Sequence, residues 1–146
     1  MCKVSDLLVM AVDSDQKGLE VTCASLNRLG INKIICVESY SEAVNILKDN
    51  SDVDIVIADF AIEAGKALGL LLCSTFKKKL PGVVFVLVSK EYSCSVAVHN
   101  LHSGNVDDML DKNESEEMED LMKKWVFLAQ QRNTTREIFN GKLSSK

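Results

Sequence analysis

The chain has 146 residues, of which 47% are hydrophobic, and this suits one globular domain with a short tail. Its formal net charge of -4 argues against sequence-independent nucleic-acid binding, because neutralising phosphates requires a basic face. No apolar run approaches the roughly 20 residues that span a bilayer, and Asp6 at the start of the first apolar run is atypical of a secretion signal. These features predict an intracellular protein, nuclear or cytoplasmic, that does not bind membranes.

Five apolar runs of strand length recur at regular intervals along the chain. Runs this apolar are typical of strands that are buried on both faces of a parallel sheet. The predicted strands are Leu7 to Val12, Lys33 to Val37, Val53 to Ala58, Val83 to Val88 and Val106 to Leu110.

Amphipathic segments of helical period alternate with these strands. The first carries Leu19, Cys23, Leu26 and Leu29 and stops at Gly30, and the second begins with Ser41 as its N-cap. The others are predicted over about Gly65 to Lys78 before Pro81, Ser93 to His102, and Ser115 to Gln131.

Strict alternation of strands and helices predicts an α/β fold, namely a five-stranded doubly wound parallel sheet with helices on both faces. We expect this domain to cover residues 5 to 132 and a polar C-terminal tail, either an extension of the last helix or a frayed end, to follow over residues 133 to 146. In such sheets a ligand crevice lies outside the carboxyl ends of the strands.

The five cysteines have no C-x-x-C spacing, and four of them lie within apolar patterns. We therefore predict that they are reduced residues of the core rather than metal ligands. They are Cys2, Cys23, Cys36, Cys73 and Cys94.

Four polar side chains stand at the carboxyl ends of predicted strands: Asp13, Asp59, Ser89 and Lys112. A carboxylate at the end of a central strand can attack phosphorus, and the product needs its charge neutralised and its oxygens held. A lysine and a hydroxyl do this, while neighbouring acids hold magnesium. The alternative is that Asp59 merely caps the helix that follows it.

Four short motifs in this order carry a resemblance to a known family. The sequence reads V-D-x-D at Val12–Asp15, V-I-A-D at Val56–Asp59, V-L-V-S at Val86–Ser89 and D-x-L-x-K at Asp108–Lys112. Together they resemble the response regulator receiver domain of two-component phosphorelays, which has a flavodoxin-like fold. The segment from Leu121 to Arg132, with its Trp125, is most similar to receivers of plant type-B response regulators.

The resemblance implies a signalling module and not an enzyme. Asp59 would be the phosphoacceptor, Ser89 the switch hydroxyl and Lys112 the cation that contacts the phosphoryl group. Magnesium would be held by Asp13, Asp59 and the backbone carbonyl of Ala61. The implied partners are a histidine phosphotransfer protein or histidine kinase, together with either a separate partner or an output domain fused beyond Lys146.

Several positions depart from the family pattern. Ser14 replaces the second acid of the acidic pair, which predicts weakened magnesium binding, and Asp15 is a further possible ligand. Ile62-Glu63 stands in place of Met-Pro, Asn113 replaces a proline, and Met109 replaces an aromatic switch residue. We expect Met109 to be exposed on an interaction face formed by the fourth helix, the fifth strand and the fifth helix.

These departures leave a second hypothesis open, in which the chain is a pseudo-receiver that binds partners without phosphorylation. A third, a small nucleotide-binding enzyme of the same fold, requires a glycine-rich loop after the first strand. The sequence there is Asp13-Ser14-Asp15-Gln16. This argues against the third hypothesis.

Overall fold

The computed structural model describes residues 2–50, 52–62, 68–89, 106–111 and 115–144. A single sheet has the strand order β2-β1-β3-β4-β5, and every neighbouring pair is parallel. The strands are β1 (Leu8–Val12), β2 (Lys33–Val37), β3 (Ile55–Asp59), β4 (Val84–Ser89) and β5 (Asp108–Asp111). The described helices are α1 (Gln16–Arg28), α2 (Tyr40–Asp49), α3 (Leu68–Lys79) and α4 (Ser115–Ser144), preceded by a 3-10 turn at Val4–Asp6.

The predicted five-stranded doubly wound sheet is confirmed. Strand order reverses between β1 and β3, so chain crossovers lie on both faces of the sheet. β3 and β4 each extend one residue farther than predicted and end at Asp59 and Ser89. The carboxyl edge of the sheet therefore carries the polar side chains that the sequence placed at strand ends.

Alternate residues of each buried strand pack into two separate cores. In β4, Phe85 and Leu87 join the core that α2 and α3 cover, whereas Val84 and Val86 join the core on the other face. Leu26 of α1 and Met118, Met122 and Trp125 of α4 cover that second face. This two-sided burial explains why the strands read as continuous apolar runs.

The helix starts follow local capping chemistry. Asp15 is the N-cap of α1 and its side chain accepts a hydrogen bond from the backbone N–H of Lys17 at 3.1 Å. The prediction that Ser41 caps α2 is wrong: Ser39 is the N-cap, and its hydroxyl accepts from the N–H of Glu42 at 3.2 Å. The spacing Ser-x-x-Glu is the usual capping-box pattern and identifies Ser39 in the sequence.

Helix α3 is partly exposed, and α4 extends past the predicted domain boundary at residue 132. In α3, Leu72 is buried but Leu71 is 51% exposed, so not all of its leucines serve the core. α4 continues to Ser144, so over the described residues the predicted tail is an extension of this helix. The predicted fourth helix, Ser93 to His102, lies outside the described residues. No helix in the described part of the chain is long and apolar enough to cross a membrane.

Asp107 connects three elements just before β5. Its carboxylate accepts hydrogen bonds from Lys77 Nζ at 2.7 Å, from the backbone N–H of Phe85 at 2.8 Å and from Arg132 at 3.0 Å. The carboxylate is largely buried, with a side-chain exposure of 12%. Burial opposes its charge, but the hydrogen bonds from Arg132, Lys77 and Phe85 outweigh burial and lower the pKa of Asp107.

Asp54 anchors the distal part of α4 in the same way. Its carboxylate accepts from the backbone N–H of Leu8 at 2.9 Å, from Asn133 at 2.9 Å and from Arg136 at 3.2 Å. Nearer the N-terminus of α4, the indole N–H of the buried Trp125 donates to Asp108 in β5 at 2.7 Å. α4 is therefore fastened to the sheet at several levels along its length.

The cysteine prediction is correct for two of the four cysteines in the described part of the chain. Cys2 and Cys73 are buried in the core, as expected. Cys36 is exposed and Cys23 is half-buried, so the core assignment is wrong for this pair. β2 is an edge strand, and one of its faces is incompletely covered by helices, which leaves Cys36 accessible although the strand pattern is apolar. Cys94 lies outside the described residues.

Candidate functional site

Asp13 directly follows the last residue of β1 and is held there by hydrogen bonds. Its backbone N–H donates to the carbonyl of Val37 in β2 at 3.1 Å, which continues the sheet by one hydrogen bond. Its side chain is buried, and Oδ1 accepts the backbone N–H of Asp15 at 2.9 Å. A buried carboxylate at the switch point of strand order is positioned to face a ligand.

Asp59 is the last residue of β3, next to β1 in the sheet. Its side chain is half-buried, and Oδ1 accepts a long hydrogen bond of 3.4 Å from the N–H of Ala61. The following residue, Phe60, donates its N–H to the carbonyl of Val88 at 2.8 Å. This bond fixes the backbone directly after Asp59 against β4.

Ser89 ends β4, the strand beside β3, and its side chain is buried. In the sheet register it is the partner of Asp111 in β5. Lys112, the predicted cation, follows Asp111 in sequence but lies outside the described residues. The structure thus brings Asp13, Asp59 and Ser89 to one edge of the sheet.

Both predicted acids line one crevice at this edge of the sheet. Asp13 and Asp59 both line it, and apolar residues of β1, β3 and β4 form its floor. Leu19 and Thr22 of α1 line it as well. The sequence analysis did not predict Thr22 as a residue of the site. The available signal was its position one turn after Leu19, which places both residues on the same face of α1.

The donor chemistry of the crevice fits a magnesium ion. Magnesium takes oxygen ligands and is commonly bound through one or two carboxylates together with waters. Asp13 and Asp59 supply two carboxylates at one place. Among the described residues, no group of three or more His, Cys, Asp or Glu side chains is arranged to hold a metal ion.

The two residues after Asp13 do not add to this carboxylate set. Ser14 is exposed. Asp15 is also exposed, and one of its oxygens is committed to capping α1. The possible role of Asp15 as a metal ligand therefore competes with helix capping, and we do not include it in the site.

Gly69 allows α3 to pack directly against the end of β3. A Cβ atom at this position would lie 2.6 Å from the backbone oxygen of Asp59 and 2.8 Å from a methyl carbon of Leu87. Its own N–H donates to the carbonyl of Phe60 at 3.0 Å. The absence of a side chain at residue 69 thus helps to set the position of the Asp59 backbone.

We expect Gly69→Ala to lower the free energy of unfolding by about 1 to 3 kcal/mol, the usual cost of overpacking. The clash is with backbone, so it exceeds the gain in helix propensity from alanine. Chemical denaturation measures the change. Gly82→Ala is the matched control, because nothing lies within 4 Å of its added Cβ. Equal stabilities of the two variants would contradict the close packing of α3 on β3.

The prediction that Met109 is exposed is wrong. Its side chain is only 8% exposed and packs in the core that also contains Leu87 and Val106. Met109 and Leu87 are register partners on β5 and β4, so the alternation of the strand directs both to the same covered face. Met109 therefore cannot serve as an exposed contact on an interaction face.

Comparison with solved structures identifies the fold. An uncharacterized protein from Neptuniibacter caesariensis is 25% identical, with a TM-score of 0.77 over 88% of this chain and 93% of that one. A response regulator from Thermotoga maritima is 19% identical, with a TM-score of 0.67 over 82% and 97%. The signal receiver domain of an HD domain-containing protein from Pseudomonas fluorescens is 16% identical, with a TM-score of 0.74 over 94% and 96%.

No protein-family model matches the sequence, and no curated protein is significantly similar to it. The structural likeness shows that the chain has the flavodoxin-like fold of response regulator receiver domains. The closer similarity to plant type-B receivers stays a prediction.

Proposed function

We propose that this chain is a receiver domain that accepts a phosphoryl group on Asp59 from a phosphohistidine of a histidine phosphotransfer protein or histidine kinase. The observation that carries the proposal is the shared crevice of Asp13 and Asp59 at the switch point of a receiver fold. Ser89 ends the adjacent strand, and Lys112 follows the strand beyond it in sequence. The proposed domain covers residues 5 to 132 and also includes the next turns of α4, because Asn133 and Arg136 bind Asp54.

In the proposed transfer, a carboxylate oxygen of Asp59 attacks phosphorus while the bond from phosphorus to the donor nitrogen breaks. The electron pair of that bond stays on the histidine, which takes up a proton, and Asp59 becomes an acyl phosphate. The hydroxyl of Ser89 donates to one phosphoryl oxygen and the ammonium of Lys112 neutralises another.

In this proposal a magnesium ion would be held by Asp13, Asp59 and the backbone carbonyl of Ala61. When bound, it neutralises charge on the phosphoryl oxygens. We expect weak binding, because the uncharged Ser14 stands where a third carboxylate would offset more of the cost of dehydrating the ion. We therefore expect phosphorylation of Asp59 to be slow at low magnesium concentrations.

The proposal is tested by incubating the chain with acetyl phosphate at increasing magnesium concentrations. We expect one phosphoryl group per chain, detected by intact mass, in an adduct that survives acid and is lost in base, as an acyl phosphate is. The stoichiometry should rise with magnesium and vanish with a chelator. A label that survives base would indicate a hydroxyl acceptor and overturn the proposal.

Replacing Ser14 by aspartate should tighten magnesium binding more than tenfold, which corresponds to about 1.4 kcal/mol. The variant adds a third carboxylate to those of Asp13 and Asp59. Calorimetric titration measures the affinity of both proteins. Ser14→Asn is the control, since it adds similar volume without charge and should leave the affinity within about threefold. Equal affinities of wild type and Ser14→Asp would show that Ser14 does not limit magnesium binding.

A second candidate function is a pseudo-receiver that binds its partner without phosphorylation, and the observation that favours it is Ser14. The two functions differ in their response to a phosphodonor. A working receiver should change its affinity for the phosphotransfer partner or the output domain after treatment with acetyl phosphate, whereas a pseudo-receiver should bind equally before and after. If the chain is a pseudo-receiver, Asp59→Asn should bind the partner with the same affinity as the wild type.

A further inference from the structure

Two thiols meet on the surface between α1 and β2. Cys23 lies in the middle of α1 and Cys36 lies on the edge strand β2, and their sulfur atoms are 2.9 Å apart. Cys36 is exposed and Cys23 is half-buried. A disulfide bond needs a sulfur separation of about 2.05 Å, so a movement of roughly 1 Å would join them.

The cavity beside this pair is acidic. Its lining includes both cysteines and three carboxylates, from Glu20 of α1, Glu38 after β2 and Glu42 of α2. No cationic side chain is among its lining residues, which are otherwise Gln16 and Leu19. A small molecule that approaches the thiols therefore meets a negative potential.

We propose that Cys23 and Cys36 form a reversible intramolecular disulfide by exchange with a low-molecular-weight disulfide, and that the surrounding carboxylates favour a cationic disulfide over an anionic one. The two sulfur positions and the acidic lining carry this proposal. Neither cysteine lines the crevice of Asp13 and Asp59, although Leu19 borders both cavities, and the disulfide does not depend on phosphorylation.

The exchange takes place in two steps. Cys36 loses its proton to solvent, and its thiolate attacks one sulfur of the small disulfide, which releases the other half as a thiolate. The mixed disulfide on Cys36 is then attacked by the thiolate of Cys23, which releases the second half. The two protein thiols are oxidised, the small disulfide is reduced to two thiols, and the two protein protons end on those products.

The order of the steps follows from exposure. Cys36 is accessible to the reagent, whereas burial, together with the hydrogen bond and charge of Cys36, raises the pKa of Cys23 to about 12. Once Cys36 is in a mixed disulfide, its hydrogen bond and charge no longer oppose ionisation of Cys23. Cys36 is therefore the attacking thiol and Cys23 the resolving thiol.

The test uses the full chain and two reagents, the dicationic disulfide cystamine and the anionic disulfide of glutathione. After treatment, alkylation and tryptic digestion, the expected product links peptide 18–28, which contains Cys23, to peptide 34–48, which contains Cys36. Cystamine should form this link at least about threefold faster at low ionic strength, and 0.5 M salt should reduce the difference. A thiol reductant should restore both cysteines.

One variant separates the two steps, and a second serves as the control. Cys23→Ser should retain the reagent as a stable adduct on Cys36, because no resolving thiol remains. Cys73→Ala, which alters a buried cysteine outside the pair, should form the link as the wild type does. The proposal is overturned if both thiols stay free in the wild type, if the link appears only after unfolding, or if Cys23 or Cys36 pairs instead with Cys2, Cys73 or Cys94. Equal rates with the two reagents would overturn the role of the carboxylates.

Discussion

Replacing Asp59 by asparagine should abolish the base-labile phosphoryl label completely. Asparagine keeps the size of the side chain but provides no carboxylate to attack phosphorus. Asp13 is also in the crevice, but its Oδ1 accepts the N–H of Asp15 and its side chain is buried, so it should not replace Asp59 as acceptor. Radiolabel or intact mass after treatment with acetyl phosphate measures the loss.

The matched control is Asp49→Asn, which removes an exposed carboxylate at the end of α2. It should be labelled to the same extent as the wild type. Both variants should also be compared with wild type by thermal unfolding, so that loss of label is not confused with loss of fold. Undiminished, base-labile label on a folded Asp59→Asn protein would assign the phosphoryl group to another carboxylate.

Asp107→Ala should lower the free energy of unfolding by about 3 kcal/mol or more. Removing one partner of a buried ion pair leaves the other charge uncompensated, which typically costs 3 to 5 kcal/mol. Here Lys77, with a side-chain exposure of 17%, would lose its carboxylate, and Phe85 would lose an acceptor for its backbone N–H. Urea unfolding monitored by circular dichroism measures the change.

The control removes an ion pair that is exposed to solvent. Glu119 contacts Arg28 at 2.5 Å, with side-chain exposures of 41% and 60%. Screening by water makes such pairs worth about 0 to 1 kcal/mol, so Glu119→Ala should be nearly neutral. A similar loss of stability in the two variants would contradict the structural importance of the Asp107 cluster.

The Asp107 cluster also predicts a pH dependence. Because the folded state lowers the pKa of Asp107, its charge stabilises the protein above the unfolded value of about 3.9. This contribution is lost as the pH falls through the folded pKa. The difference in free energy of unfolding between wild type and Asp107→Asn should therefore be largest near neutral pH and should shrink below about pH 4.

The sheet was predictable from the sequence because its strands are buried on both faces. Continuous apolar runs that end in Asp13, Asp59 and Ser89 encode both the strand and the position of its carboxyl end. The parallel register then brings these ends to one edge without any further information. Most of the candidate site follows from this single property of the fold.

Features that depend on packing between distant residues were not predictable in the same way. An apolar run does not show that β2 lies at the edge of the sheet, so Cys36 looked like a core residue although it is exposed. Likewise, only the register of Met109 opposite Leu87 shows that its side chain enters the core. The partners of Asp107 are up to 30 residues away in sequence, and no local pattern identifies them.

The most direct measurement for the central proposal is chemical mapping of the phosphoryl group on the wild-type chain. Treatment with acetyl phosphate and magnesium, followed by borohydride, reduces an acyl phosphate of aspartate to homoserine, which peptide mass spectrometry locates. We expect homoserine at residue 59 and at no other position, in an amount that rises with magnesium. Complete absence of homoserine at saturating magnesium, or its appearance at another aspartate, would contradict the assignment of Asp59 as the phosphoacceptor.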